Sequence, residues 1–359
     1  MTENIKPDFN RFLDAVRHRE SDRVPLSEVL IEYPIQSRFL GREVDPDDLA
    51  AQVEFWSTAG YDYIPVPVSL MSPGKVTGES KITRVLREMV LRKNPGETDE
   101  KAWNLEYTSF IKSRRDFEEF PWEAAKEIDL SKIQNVGALL PPGMKAIAVS
   151  GKLFTLSWML MGFNDFATNL ILDEQLVADV VDRVAEIQMS ALDQILDLDW
   201  VAGVWVVDDL AFGTGPMISP EAYRTHFFPK YKKIADRLHA DDRIFLMHSD
   251  GDLWQILPDL IDVGLDVLQP IDPTCMDIAR VKREYGDQLC LVGNVSNEML
   301  RAASPEEVRD HCRNLIREVG PGGGYGLGSG NSVPAWSSFE NYQAMRQTVL
   351  AEGWYPINL

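Results

Sequence analysis

At 359 residues, with 56 acidic against 36 basic side chains and a formal net charge of −20, the chain is long enough for a large core and strongly acidic. That balance excludes a nucleic-acid surface and the gathering of a strongly anionic substrate by long-range attraction. The three cysteines are widely spaced, the N-terminus has no signal-peptide core and no run approaches about 18 apolar residues, so a cytoplasmic protein without a membrane span is expected.

Short apolar runs alternate with longer helical patterns throughout. The first predicted strand is 23–28. A helix over 45–60 follows, with Asp45 as its cap, Pro46 at the first helical position and Gly60 as its stop. After a second strand at 63–67, residues 81–93 and 102–112 flank Asn94-Pro-Gly-Glu-Thr and read as an inserted β-hairpin, either a lid over a site or a structural flap. Strands at 144–150 and 203–209 bracket an amphipathic helix from Asp173 to about Leu198. Further strands fall at 244–249, 266–269, 289–294 and 325–330, with helix starts at Ser219-Pro-Glu, Asp277 and Ser304-Pro-Glu-Glu between them. Eight nearly continuous apolar strands alternating with helices predict a (β/α)8 TIM barrel, one domain over 1–359, buried on both faces of its sheet.

In such a barrel the chemistry sits where strands end. The run Ile244-Phe-Leu-Met-His-Ser-Asp-Gly places His248 and Asp250 one strand period apart, hence on one face, as metal ligands, as an acid–base pair, or as a structural hydrogen bond. Asp208 and Asp209 close the fourth strand, so one points into the mouth as ligand or base and the other points away. Glu28 follows the first strand and is the candidate third metal ligand, Glu32 a weaker one. His226 lies among aromatic neighbours and reads as packing. So do Cys290 and Cys312, and Cys275 reads as a free half-buried thiol. Asn294 and Asn331 sit in glycine-containing loops after the last two strands. Barrels often hold phosphate there, but neither loop has a basic residue, so a hydrogen-bonding role is expected. Among Met71, Phe154, Trp158, Met161, Phe163, Phe212 and Trp336, a few are expected to wall an apolar pocket, Trp158 and Phe212 foremost.

Several stretches resemble the uroporphyrinogen decarboxylase superfamily: Arg11-Phe-Leu-Asp-Ala-Val-Arg followed by Asp22-Arg-Val-Pro, His248-Ser-Asp-Gly, Gly293-Asn-Val-Ser, and Gly322-Gly-Gly-Tyr through Gly-Ser-Gly-Asn-Ser-Val-Pro to Glu340-Asn-Tyr-Gln-Ala-Met. The resemblance implies a (β/α)8 barrel with its site at the C-terminal strand ends, in a fold that often pairs as a homodimer. The decarboxylase branch carries two arginines in an Arg-Gln-Ala-Gly-Arg-Tyr context. Here the matching stretch reads Glu28-Val-Leu-Ile-Glu-Tyr33, with no arginine before Arg38 to hold a polycarboxylate.

The other branch, cobalamin-dependent methyltransferases, binds zinc through His-x-Cys and a distant cysteine. At the matching places this chain has His248, Asp250 and Ser329, so every expected sulfur is replaced by oxygen. An oxygen-and-nitrogen zinc site suits polarisation of an ether oxygen. The resemblance thus implies methyl transfer from a small, methoxylated donor to a corrinoid on a separate protein, since no Asp-x-His-x-x-Gly segment is present. Asp208, Asp209, His248 and Asp250 would be catalytic. Glu28, Tyr33, Trp158, Phe212, Asn294, Ser329 and Asn331 would bind substrate, and His248, Asp250 and Glu28 would hold the metal. Decarboxylation of a porphyrinogen, or a barrel that binds without catalysis, are the alternatives.

Overall fold

The computed structural model describes residues 6–68, 109–126 and 128–358. In chain order the strands are β1 (Tyr63–Pro67), β2 (Lys145–Val149), β3 (Val201–Val207), a two-strand hairpin of β4 (Ala211–Phe212) and β5 (Gly215–Pro216), then β6 (Ile244–His248), β7 (Val267–Gln269), β8 (Cys290–Val295) and β9 (Tyr325–Ser329). Seven of them pair side by side, all parallel, in the order β1-β2-β3-β6-β7-β8-β9. The sheet curls into a TIM-type barrel with helices outside it.

The expected strand over 23–28 does not form as such. The segment touches the sheet by a parallel bridge between Leu26 and Leu327, with Ser27 N–H donating to Leu327 O at 3.0 Å and Leu327 N–H to Pro25 O at 2.9 Å. Pro25 has no N–H to extend that ladder, and Arg23 is drawn off into an antiparallel bridge with Trp354. On the β1 side the seam is held by a side chain: Tyr63 Oη lies 2.7 Å from Ser27 Oγ and 3.1 Å from Glu28 N. The eighth stave is therefore present as an irregular segment.

Alternation along the strands separates two cores. Tyr63, Ile147, Trp205, Ile244, Leu246 and Val292 point inward and form one buried cluster, while Ile64, Ala146, Val204, Phe245, Met247 and Leu291 point out to the helices and join the other. The helix Phe9–Val16 closes the N-terminal end of the barrel by adding Phe9, Phe12, Ala15 and Val16 to the inner cluster. It is pinned by Arg11, which reaches Asp22 at 2.6 Å and also Asp62.

Helix Leu49–Thr58 is shorter than expected. Asp48 is its cap, accepting from Ala51 N at 2.9 Å, and Asp45 instead closes a turn by accepting from Asp47 N. The helix Glu174–Leu196 with its Asp173 cap, and the Ser304–Glu307 capping box before Pro305–Val319, form as their sequences predict. The predicted hairpin lies outside the described residues except for 109–112. No helix among the described residues is long and apolar enough to cross a membrane.

Candidate active site at the barrel mouth

The same alternation that sorts the core chooses the site. Leu246 points inward on β6, so His248 does too, and Asp250 continues on that side. Trp205 points inward on β3, so Val207 and Asp209 follow it and Asp208 faces the helices. The structure brings His248, Asp250 and Asp209 together, with one donor atom of each within 4.8 Å of the others. His248 Nε2 lies 3.8 Å from Asp209 Oδ1 and 3.9 Å from Asp250 Oδ1.

A chain of hydrogen bonds fixes the imidazole. Gln269, which ends β7, donates from Nε2 to the carbonyl of Asn331, an atom that can only accept. Its Oε1 therefore faces His248 Nδ1 at 2.6 Å, and Nδ1 carries the ring proton. Nε2 is left with its lone pair toward the two carboxylates. Asn331 completes the loop by donating from Nδ2 to Asp250 Oδ2. Asp250 Oδ1 is buried and accepts no hydrogen bond. Burial pushes the Asp250 carboxyl up to about 6, Asp209 and Asp272 add to the rise, and the Asn331 amide opposes it.

An imidazole lone pair, a buried carboxylate oxygen without a donor and a half-exposed second carboxylate make a set that fits zinc. Ligand distances of about 2.0–2.2 Å place tetrahedral donors about 3.3 Å apart, so His248 needs to close on each carboxylate by about half an ångström and the two carboxylates on each other by at most about 1.5 Å. Three protein ligands would leave the fourth position for substrate.

The other predicted residues go elsewhere. Asp208, fully buried, accepts from Phe154 N and Thr155 N at 2.7 Å and from Tyr231 Oη at 2.6 Å. It ties the start of helix Leu153–Met161 and the helix Phe228–His239 to the end of β3. Burial raises its pKa, and these donors oppose the rise.

Glu28 is not among the three converging groups, where the sequence had placed it as a metal ligand. It shares the outward direction of Leu26, and both its oxygens accept from Ser329, from N at 2.6 Å and Oγ at 2.7 Å. Burial pushes Glu28 up to about 8 even so. Asn294 donates to Ile271 O at 3.2 Å. Trp158 packs edge-on against Phe163, and Phe212, half exposed on the β4–β5 hairpin, meets the same ring. Buried His226 lies 3.2 Å from Glu174.

Beside His248 opens a cavity of about 360 Å³, toward the lower end of the range of small-molecule sites. Tyr33 and Asn331 line it, along with apolar side chains such as Leu30, Ile31, Trp56 and Val68. Lys152 is the one lysine or arginine on its wall among the described residues. Glu28, Trp158, Phe212, Asn294 and Ser329 lie off that wall. Two residues that matter here, Gln269 and Lys152, carry no motif. Their signal is position alone, the inward-facing last residue of one strand and the third residue past the end of another.

The family model for "Uroporphyrinogen decarboxylase (URO-D)" matches residues 115–351. Curated relatives include the uroporphyrinogen decarboxylase of Shewanella loihica, 34% identical over 124 residues, which are 33% of this chain and 34% of that enzyme. The uroporphyrinogen decarboxylase of Aeromonas salmonicida is 28% identical over 189 residues, 51% of this chain and 48% of its own length. The matched stretches thus span from a third to about half of these relatives. Among solved structures, a methyltransferase from Methanosarcina mazei superposes with a TM-score of 0.65 at 16% identity, covering 94% of this chain and 96% of its own, a likeness of fold.

Two consequences are measurable. Asp208→Asn weakens three buried hydrogen bonds to a carboxylate and should lower stability in denaturant melts by about 1–3 kcal/mol, whereas Asp209→Asn at the mouth should change it by less than about 0.5. Equal losses would mean that the inward and outward directions are misassigned.

Glu28 titrates near 4.5 when unfolded and near 8 when folded. Between those values only the folded chain keeps the proton. Stability should therefore be greatest below pH 4.5 as far as this group is concerned, decline by at most ~1.4 kcal/mol per pH unit as pH rises, and level off above 8. The melting temperature of Glu28→Gln should match wild type near pH 4 and exceed it progressively toward pH 8. A gap independent of pH would contradict this.

Proposed function

This chain belongs to the uroporphyrinogen decarboxylase (URO-D) family, and from that footing we propose that it moves a methyl group from a small methoxylated molecule to a corrinoid carried on a separate protein, at a zinc site made by His248, Asp209 and Asp250. The observation that supports this reading is the meeting of one imidazole lone pair and two carboxylates beside a small, mostly apolar cavity. When bound, zinc would supply Lewis acidity to the ether oxygen and favour departure of the alkoxide or phenolate.

The chain's own residues prepare that step. Gln269 holds His248 in the tautomer whose Nε2 is free to ligate, and Asn331 holds one oxygen of Asp250 so that the other is presented. Two carboxylates balance a divalent charge, so the loaded site is near neutral and tolerates an apolar methyl ether. Leu30, Ile31, Trp56 and Val68 exclude water from the transferring methyl group. A cytoplasmic setting suits the reaction, because the reduced corrinoid needs a reducing compartment.

The relatives named uroporphyrinogen decarboxylase make porphyrinogen decarboxylation the rival reading. Such a substrate bears many carboxylates and calls for several basic side chains. Lys152 alone on the described wall does not meet that demand, and the segment that would carry arginines presents Val29, Leu30 and Ile31 to the cavity.

The test is to incubate the zinc-loaded chain with methoxylated aromatics and reduced cobalamin, and separately with uroporphyrinogen. Methylcobalamin and a demethylated product should form together, and His248→Ala should slow their formation by at least about 100-fold. Carbon dioxide from the porphyrinogen, with no methyl transfer from any ether, would establish the rival. Neither reaction, with binding of a corrinoid protein preserved in His248→Ala, would indicate a barrel that binds without catalysis.

A further inference from the structure

We propose that Lys152 is an anion-binding subsite of this cavity, so that the preferred ligand is a small ring compound bearing one carboxylate at the end opposite its methoxy group. This deepens the methyl-transfer reading and rests on it for the identity of the reacting end.

The first support is the charge inventory of the wall. Among the described residues that line the cavity there is no aspartate or glutamate, and Lys152 is the only side chain with a permanent positive charge. A single cation in an apolar wall therefore sets the local field, although the chain as a whole carries −20. That global charge repels anions at a distance, and the preference arises at contact.

The second support is what Lys152 does not do. Some lysines of this acidic chain sit on carboxylates, as Lys126 does on Glu123, Lys132 on Asp47 and Lys232 on Asp236, while Lys145 and Lys282 donate to backbone carbonyls. Lys152 is half-buried and meets no carboxylate among the described residues. The carboxylate that follows β3, Asp208, is turned outward and committed to Phe154, Thr155 and Tyr231. Its ammonium is therefore open to a carboxylate that a ligand brings.

The third support is placement. Lys152 follows the end of β2 and His248 ends β6, with β3 between them. Val207 joins the two, standing opposite His248 in the sheet and donating from N to Gly151 O at 3.3 Å. Two strand spacings of ~4.8 Å put these positions on the order of 10 Å apart. One six-membered ring carrying a carboxylate at one end and an ether at the other spans that distance, with Leu30, Ile31, Pro67 and Leu156 as its apolar walls.

The test is calorimetric titration of the full zinc-loaded chain with three matched probes: methoxybenzoates (the 3- and 4-isomers), their uncharged methoxybenzamides, and 4-ethylbenzoate, which is anionic but has no transferable methyl group. Wild type should bind the benzoates roughly ten-fold or more tightly than the amides. Lys152→Met should abolish that difference while leaving amide binding unchanged, and Lys152→Arg should restore it, with thermal melts confirming that both variants fold. Equal binding of acid and amide to wild type, a preference that survives Lys152→Met, or no binding of any probe would each overturn the subsite. If 4-ethylbenzoate shows the Lys152-dependent preference but methoxybenzoates pass no methyl group to reduced cobalamin, the subsite stands and the methyl-transfer reading fails by itself.

Discussion

Along β6, Ile244 and Leu246 fill the barrel interior, and the pleat of the strand carries that direction on to His248 and Asp250. The same two-residue repeat on β3 sends Asp209 inward after Trp205 and Asp208 outward. A one-residue slip would exchange every one of these roles. The chemistry at the mouth thus depends on a register that the hydrophobic core holds, because slipping β6 would expose Leu246 to the helices and bury His248 among them. The placement of His248, Asp250 and Asp209 at the mouth and the packing of the core are enforced by one constraint.

On that frame a short polar relay does the fine setting. The Asn331 carbonyl orients the Gln269 amide, the amide orients the imidazole, and the Asn331 side chain orients Asp250. Three strand ends, β6, β7 and β9, are tied together by two neutral amide side chains that close on His248 and on one oxygen of Asp250. What remains uncommitted is the Nε2 lone pair and a buried carboxylate oxygen, the two atoms a cation would take. Asp208 plays the complementary part on the far side of β3, where it anchors helices so that the loop carrying Lys152 has a fixed course.

Much of this was legible in the residues. Apolar runs closed by polar side chains located seven of the eight staves, and the parity of His248 with Asp250 put both on one face. The pair Asp208-Asp209 was legible only as an alternative, since choosing between them needs the inward direction of Trp205, which a uniformly apolar strand does not reveal. Glu28 was misplaced as a metal ligand for a related reason. Pro25 interrupts the first stave, and the residue that follows Ser27 turns outward to Ser329. Gln269 has no motif to mark it, because a glutamine at a strand end shows its role only where its amide meets His248 Nδ1 and the Asn331 carbonyl. Residue type and nearness to the loops point to Trp158 and Phe212 as pocket walls, but both pack on Phe163 and lie off the cavity.

The zinc site we propose at His248, Asp209 and Asp250 is built from nitrogen and oxygen only. The most direct measurement is the zinc content of protein purified without chelator or metal resin, together with its zinc X-ray absorption spectrum. One equivalent of zinc, with an imidazole and light oxygen scatterers and no sulfur in the first shell, is the result the account predicts. A sulfur scatterer, or no stoichiometric zinc even when the metal is supplied, would contradict it.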